Sequence, residues 1–278
     1  MLTIWRYEAL RTRKEFLPLA ALALADALNG FGMISAGVYR IPVWLLGLEN
    51  VPKSRRFCFL TPHNLLWSTS VPVAHLMLAL ISLDRLLAVW KPLRYGTIPF
   101  SRSMACVAAI YGVAIAIAGL VFVRTADGGS NSTLICWSSM AYGKEHVIFD
   151  TVRTVSTVVS IVLYAFVPLA YRNHSKVCPN GQLQKDEIKF QVKLAKTVAL
   201  SCVCTFCFVA VPCALELVIL VYELYDFETV SVWVFILVSV NPAMNVWIYR
   251  GKLRPFRTAL RALLRNRAMP ADLRQWQG

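Results

Sequence analysis

The chain has 278 residues, of which 57% are hydrophobic, and it carries a formal net charge of +14. On a soluble protein this charge would suggest nucleic-acid binding. A mean hydropathy of +0.56 instead indicates a membrane protein and argues against nucleic acid as a partner.

Six apolar stretches are each long enough to cross a bilayer, which takes roughly 20 mostly apolar residues in a helix. A soluble chain of this length has no use for six such stretches. The sequence therefore predicts an all-α fold, a polytopic membrane helix bundle with six spans. The predicted spans are residues 16–38, 57–83, 104–123, 147–170, 194–222 and 229–249.

The distribution of Lys and Arg predicts the topology. Most of the 29 cations fall in the N-terminal residues 1–15, in the loops 84–103 and 171–196, and in the tail 250–278. By the positive-inside rule these segments are cytosolic. We therefore expect a cytosolic N-terminal segment, a transmembrane domain over residues 16–249 and a cytosolic tail.

The other face of the bundle carries two features of an oxidising, extracellular compartment. Asn131 begins an Asn-Ser-Thr acceptor for N-glycosylation. Cys58 lies at the outer end of the second predicted span, and Cys136 lies in the next outer loop. A disulfide between them is plausible in that compartment.

A carboxylate lies in the middle of the first predicted span. Asp26 costs on the order of 3 kcal/mol to insert there, so it should face the bundle interior with partners. Asn241 and Asn245 lie four residues apart in the last span and share one helix face. The three side chains would hold a sodium ion, a proton or a water cluster, or would form a structural hydrogen-bond network with no ion.

The cytosolic tail begins with a predicted basic amphipathic helix over residues 250–264. Cations lie opposite its apolar stripe, a pattern typical of helices on the inner leaflet. Membrane lipids are therefore an expected partner. The stripe consists of Leu253, Phe256, Leu260, Leu263 and Leu264.

Three motifs, in this order, resemble those of the rhodopsin-like (class A) G-protein-coupled receptors. Leu22–Asp26 resembles the second-helix motif with its buried Asp. Ser82–Leu86 resembles the Asp-Arg-Tyr motif that closes the third helix, with Leu in place of Tyr. Asn241–Tyr249 resembles the seventh-helix signature, in which Asn245 and Tyr249 match.

The resemblance covers nearly the whole chain and implies a seven-transmembrane receptor fold. Cys58 and Cys136 match the outer disulfide of these receptors, and the chain is most similar to nematode serpentine chemoreceptor-like (Srsx-like) receptors. Leu10–Lys14 resembles the first inner loop, so the chain is similar to a receptor that lacks its first transmembrane helix. Ala74 stands where a sodium-binding Ser is usual, which argues against sodium at Asp26.

The resemblance also implies a function. The chain would sense a small molecule or short peptide outside the cell and activate a heterotrimeric G protein at the plasma membrane. A ligand would favour one helix arrangement, and the cytosolic end of the 194–222 helix would then swing away. A G-protein tail would insert against Arg85 beside Asp84, with Asn245 and Tyr249 in the same switch. We expect no enzymatic activity, no cofactor and no metal.

The candidate ligand site lies in the outer half of the bundle. Counted back from Arg85, Trp67 occupies the position where the family's amine receptors carry an Asp, which argues against a biogenic amine. Glu216 would meet a cationic ligand or pair with His63. For any single candidate, interhelical packing without a ligand is the better-supported alternative. The candidates are His63, Trp67, Ser70, Val71, Cys213, Glu216, Leu217 and Phe235.

Two alternatives stay open. A small transporter or channel would use Asp26, Asn241 and Asn245 as an ion path, although transporters usually carry repeated halves and several charges within the membrane. The other alternative is a six-helix form that does not signal, or that alters a full-length partner by dimerising.

Overall fold

The computed structural model describes residues 14–125, 132–177, 182–222, 227–252 and 257–258. Helices make up nearly all of this part of the chain, and two short strands accompany them. The helices are α1 (Phe16–Leu45), α2 (Arg55–Phe59), α3 (Pro62–Trp90), α4 (Pro92–Gly96), α5 (Phe100–Thr125), α6 (Ser138–Tyr142), α7 (His146–Val177), α8 (Gln182–Thr205), α9 (Val211–Tyr222) and α10 (Phe227–Lys252).

The predicted all-α membrane bundle is confirmed. Within the described residues, five segments are long and apolar enough to cross a membrane, namely α1, α3, α5, Met140–Arg172 and Leu194–Leu215. The sixth predicted span falls within α10. The chain is thus a multi-pass membrane protein.

The outward side of α1 shows what surrounds the bundle. Its exposed residues Phe31, Ile34, Val38, Ile41 and Leu45 recur at alternating spacings of three and four, which places them on one helix face. In water they would form a large apolar patch of the kind that soluble monomers avoid. Lipid is the solvent that matches this surface.

The helices extend beyond the predicted spans at several ends, and two differences bear on the rest of the fold. The first span continues past residue 38 to Leu45, and Gly47 follows it in the left-handed conformation (φ 65°), which glycine adopts without steric cost. The second predicted span is divided. Cys58 belongs to the separate short helix α2, and α3 begins at Pro62, because proline fits the first turn of a helix.

The predicted 194–222 span is one helical path with a local irregularity. A π-helical turn, Phe206–Ala210, joins α8 to α9. Pro212 lies two residues after this turn, and its ring would crowd the carbonyl of Phe208 in regular α-helical geometry. The wider turn accommodates this proline.

Helix α3 occupies the centre of the bundle, where it packs chiefly against α1 and α7 and also contacts α5 and α8. Its buried residues Val73, Met77 and Ile81 lie in the main apolar core. At Gly32 of α1 the packing against α3 is especially close, since a Cβ there would lie 2.7 Å from Trp67 Nε1. A small residue at this position allows the two helices to approach each other.

The two ends of the bundle are built differently. At one end, strands β1 (Pro52–Lys53) and β2 (Ser132–Thr133) pair antiparallel, and the disulfide Cys58–Cys136 links α2 to the segment after β2. We call this the disulfide end. The opposite end, where α3 finishes and α4 begins, contains Arg85 and is called the Arg85 end.

Candidate functional site

A cleft opens between α1, α3, α6, α7 and α10 in the half of the bundle nearer the disulfide end. Its empty space, with the open mouth included, is about 800 Å³. The lining residues are Asn29, Met33, Arg40, Trp67, Val71, Trp137, Ser138, Tyr142, His146, Phe149, Asp150, Arg153, Val234 and Val238.

The segment after the disulfide forms one rim of the cleft and is held by polar side chains. Arg40 donates hydrogen bonds to the carbonyl oxygens of Ile135 (3.2 Å) and Cys136 (3.0 Å). Asn64 Nδ2 donates to the Cys136 carbonyl (3.2 Å), and Ser138 Oγ donates to Asn64 Oδ1 (3.0 Å). These contacts position Trp137 over the Arg40 guanidinium, 4.3 Å from ring centroid to Cζ.

The α7 side of the cleft carries charges that share one helix face. Asp150 forms an ion pair with Arg153 and accepts a hydrogen bond from His146 Nδ1 at 2.9 Å. Spacings of three and four residues place all three side chains on the same side of α7. This group was not predicted from the sequence, although the helical spacing could have revealed it.

The predicted ligand-binding residues are distributed over several environments. Trp67 and Val71 line the cleft. His63 is buried beside the disulfide, where its Nε2 lies 3.3 Å from Thr61 Oγ1 and 3.4 Å from the Cys136 carbonyl oxygen.

The remaining candidates lie away from the cleft lining or outside the described side chains. Ser70 is buried in α3, and Cys213 packs with Val209 and Val234. The side chains of Glu216, Leu217 and Phe235 lie outside the described residues, so their ligand roles stay predictions.

The predicted buried polar network is assembled in a small separate cavity. Asn245 Nδ2 donates to Asp26 Oδ2 at 3.2 Å. Asn245 Oδ1 accepts from Ser201, and Asn241 Oδ1 accepts from Thr205 Oγ1 at 3.0 Å. The two hydroxyl residues of α8 were not identified from sequence, although their spacing of four matches that of the two asparagines.

Within the described residues, no group of three or more His, Cys, Asp or Glu side chains is arranged to hold a metal ion. The Asp26 cavity has an empty volume of about 220 Å³ and is also lined by Leu22, Ala74, His75 and Leu78. The side-chain oxygens that line it mostly form hydrogen bonds with neighbouring side chains, an arrangement that satisfies buried polar groups without an ion.

The Arg85 end holds a closed cluster of charged and hydroxyl groups. Arg85 is 1% exposed and forms an ion pair with Asp84. Arg85 Nη2 also donates to the Tyr95 hydroxyl at 3.2 Å, and that hydroxyl donates to Asp84 Oδ2 at 3.2 Å. Burial raises the pKa of the Tyr95 phenol, so it stays protonated and available as a donor.

Lys14 holds the loop that carries Tyr95. Its ammonium donates to the carbonyl oxygens of Tyr95 and Ile98, the latter at 3.1 Å, and lies 4.3 Å from the centroid of the Tyr95 ring. The side chain of Tyr249, which the sequence placed in the same switch, lies outside the described residues. So do the glycosylation candidate Asn131 and the apolar stripe of the amphipathic tail.

Comparison with known proteins gives one family. The model of the serpentine type 7TM GPCR chemoreceptor family Srsx matches residues 1–264. This range includes the cleft, the Asp26 network and the Arg85 cluster. No curated protein matches the chain.

Proposed function

The chain belongs to the serpentine type 7TM GPCR chemoreceptor family Srsx, and from this premise we propose that it is a receptor that couples ligand binding in the cleft to activation of a heterotrimeric G protein. The ligand is a small molecule or short peptide from outside the cell. The receptor acts at the plasma membrane, with the disulfide end outside and the Arg85 end in the cytosol.

One observation carries this proposal. A single central helix, α3, contributes Trp67 to the cleft and Arg85 to the cluster at the other end. The two residues are separated by about 27 Å at 1.5 Å rise per residue. A change in how α3 packs at the cleft is therefore able to alter the surroundings of Arg85.

The Arg85 cluster corresponds to the resting arrangement in this proposal. Asp84 and Tyr95 satisfy the guanidinium internally, so a G-protein tail has no access to it. Activation requires this contact to open and the end of α8 to move, a change that the π-helical turn before Pro212 makes easier. A ligand drives the change only by its difference in affinity for the two arrangements.

The first experiment measures nucleotide exchange. The full chain is purified in lipid nanodiscs and mixed with a panel of G-protein α-subunits and βγ, and GTP-analogue loading is followed with and without an extract of candidate ligands. We expect ligand-dependent loading on at least one α-subunit, abolished by Arg85→Ala. The matched control is Arg94→Ala, which removes an exposed cation from the same end.

Two outcomes would contradict the proposal. If no α-subunit is loaded under any condition, the chain is not a signalling receptor, and the non-signalling alternative gains support. If Arg85→Ala leaves stimulated loading unchanged, the coupling site lies elsewhere.

Orientation has a separate test. A tag placed after Gly278 should be stained by antibody only in permeabilised cells, because most Lys and Arg residues lie in the segments assigned to the cytosol. Staining of intact cells would reverse the proposed topology.

A transporter or channel is the second candidate, and the small polar cavity around Asp26, Asn241 and Asn245 is the observation that favours it. Its test is ion flux into proteoliposomes. Flux that Asp26→Asn abolishes and Arg85→Ala leaves unchanged would favour transport over reception.

A further inference from the structure

The balance of charge in the cleft is uneven. Of the described lining residues, Arg40 and Arg153 are cationic and Asp150 is the anion. Asp150 is already engaged on both oxygens, by Arg153 and by His146. The cleft therefore has an excess of positive charge that its own described side chains do not neutralise.

Arg40 accounts for this excess. Its contacts are the carbonyl oxygens of Ile135 and Cys136 and the rings of Trp137 and Trp67, the latter at 5.7 Å. No carboxylate of the described residues forms an ion pair with it. Carbonyl oxygens and ring faces hold a guanidinium in place, but they do not supply the opposite charge that a partly buried cation favours.

Arg153 offers a second, incomplete donor. Its Nη2 is bound to Asp150, whereas its Nε is buried without a hydrogen-bond partner in the described part of the chain. The residue is 9% exposed. Buried donors of this kind are usually satisfied, so an acceptor brought by a ligand would complete the arrangement.

The walls around these cations are apolar and aromatic. Trp67, Trp137, Tyr142 and Phe149 line the cleft together with Met33. Such a surface suits a ligand with a hydrophobic body. Arg40 donates to the two carbonyl oxygens through Nε and Nη2. Nη1 and the second Nη2 hydrogen remain at the end of the guanidinium, where they suit a carboxylate bound through two parallel hydrogen bonds.

We infer that the cleft binds a small organic carboxylate with an apolar or aromatic body, and that Arg40 is the residue that pairs with the carboxylate. The inference rests on the proposed function in taking the cleft as the ligand site. It specifies the chemical class of the ligand, and it disfavours cationic ligands, since Asp150 is already paired.

The test compares acids with their uncharged counterparts. The full chain in nanodiscs is titrated with straight-chain carboxylates of four to ten carbons and with phenylacetate and phenylpropionate, each beside its primary amide. The unfolding temperature is followed by intrinsic fluorescence. We expect at least one acid to stabilise the protein saturably and to bind at least tenfold more tightly than its amide.

Variants then locate the preference. Arg40→Gln should bring the acid to within threefold of its amide, and Arg40→Lys, which keeps the charge without the fork, should give an intermediate affinity. The matched control is Arg124→Gln, which removes an exposed Arg near the same end that pairs with Glu145 at 3.6 Å and is not among the residues lining the cleft. This control should leave the preference unchanged.

Several results would overturn the inference. It fails if no acid of the series stabilises the chain, if the amides bind equally well, or if Arg40→Gln keeps the preference. If Arg40→Gln is not recovered folded, the comparison of acid with amide on the natural chain and the Arg40→Lys variant still decide the question.

This binding test uses no G protein, so its outcome is separable from that of the proposed function. Acid binding without loading of any α-subunit would remove the receptor proposal and leave the inference standing. GTP-analogue loading that a neutral ligand stimulates, without binding of any acid, would support the receptor proposal and overturn the inference.

Discussion

Arg85 is buried at one end of the bundle and Arg40 is half-buried at the other, and their surroundings differ. Arg85 is enclosed by a carboxylate and a phenol, and its charge is balanced within the chain. Arg40 faces a cleft and is held by carbonyl oxygens and aromatic rings, without an anionic partner among the described residues. The first is suited to holding one arrangement of the protein, and the second to binding a molecule that comes from outside.

The largest expected effect tests whether the cleft end depends on its covalent link. Replacing Cys58 and Cys136 with Ser should cost about 4 kcal/mol of unfolding free energy, because the link closes a long stretch of chain, with a sequence separation of 78. It should also free the rim that Arg40 binds. Unfolding temperature and surface expression measure this loss.

The matched control for the disulfide variant is Cys106→Ser, which changes an exposed free cysteine. It should leave both measurements unchanged. An equal loss in the two variants would show that the rim does not depend on the disulfide.

The next prediction concerns the ion pair between Arg85 and Asp84 at the Arg85 end. Asp84→Asn leaves the buried guanidinium of Arg85 without its opposite charge, which should weaken the closed cluster by about 3 kcal/mol. Basal nucleotide exchange should rise at least tenfold, and a stimulating ligand should bind the cleft more tightly, because the coupling between the two ends is reciprocal. The control, Glu145→Gln, removes a carboxylate from a more exposed ion pair and should have almost no effect.

A third change alters the cleft without touching a charge. Gly32→Ala places a methyl group 2.7 Å from Trp67 Nε1 and should destabilise the chain by about 2 kcal/mol through overpacking. We expect weaker ligand binding in the nanodisc titration and lower ligand-stimulated nucleotide exchange. Gly30→Ala is the matched control, since no atom lies within 4 Å of a Cβ there; a loss in that variant would point to backbone effects instead.

The smallest expected effect tests the role of the Tyr95 hydroxyl at the Arg85 end. Tyr95→Phe removes the hydrogen bonds to Asp84 and Arg85 and keeps the ring, so the closed cluster should lose about 1 kcal/mol. Basal exchange should rise severalfold. Tyr111→Phe, which removes a hydroxyl bonded to the Ala21 carbonyl oxygen, serves as control; an equal rise there would contradict a specific role for Tyr95.

The features that the sequence predicts well depend on local patterns. Apolar runs locate the spans, and a spacing of four places Asn241 beside Asn245. The meeting of these side chains with Asp26 also followed from the sequence, because a carboxylate in lipid needs polar partners. The position of Arg40 in the cleft could not be predicted from the sequence in the same way. Arg40 lies two residues beyond the first predicted span, which ends at residue 38. Only the packing of α1 against α3 and against the segment after β2 brings it into the cleft.

Tyr95 illustrates the same limit at the other end. It lies beyond the break at Pro92, so the helical period of α3 does not extend to it, although 11 residues separate it from Asp84. The fold of the loop alone decides that the phenol returns to the carboxylate. Short-range periodicity finds partners within one helix, whereas partners across a turn depend on the turn geometry.

The π-helical turn Phe206–Ala210 has a consequence for comparing this chain with its relatives. An extra residue in one turn rotates everything that follows by about 100° relative to an uninterrupted α-helix. Cys213 of α9 packs with Val234 of α10. Removing a single residue from this turn would rotate Cys213 away from α10 and present a different side of α9, while the helix itself survived. An insertion or deletion of one residue in this turn therefore rotates α9 about its own axis. A sequence alignment that ignores such a change will assign the residues after the turn to the wrong helix face.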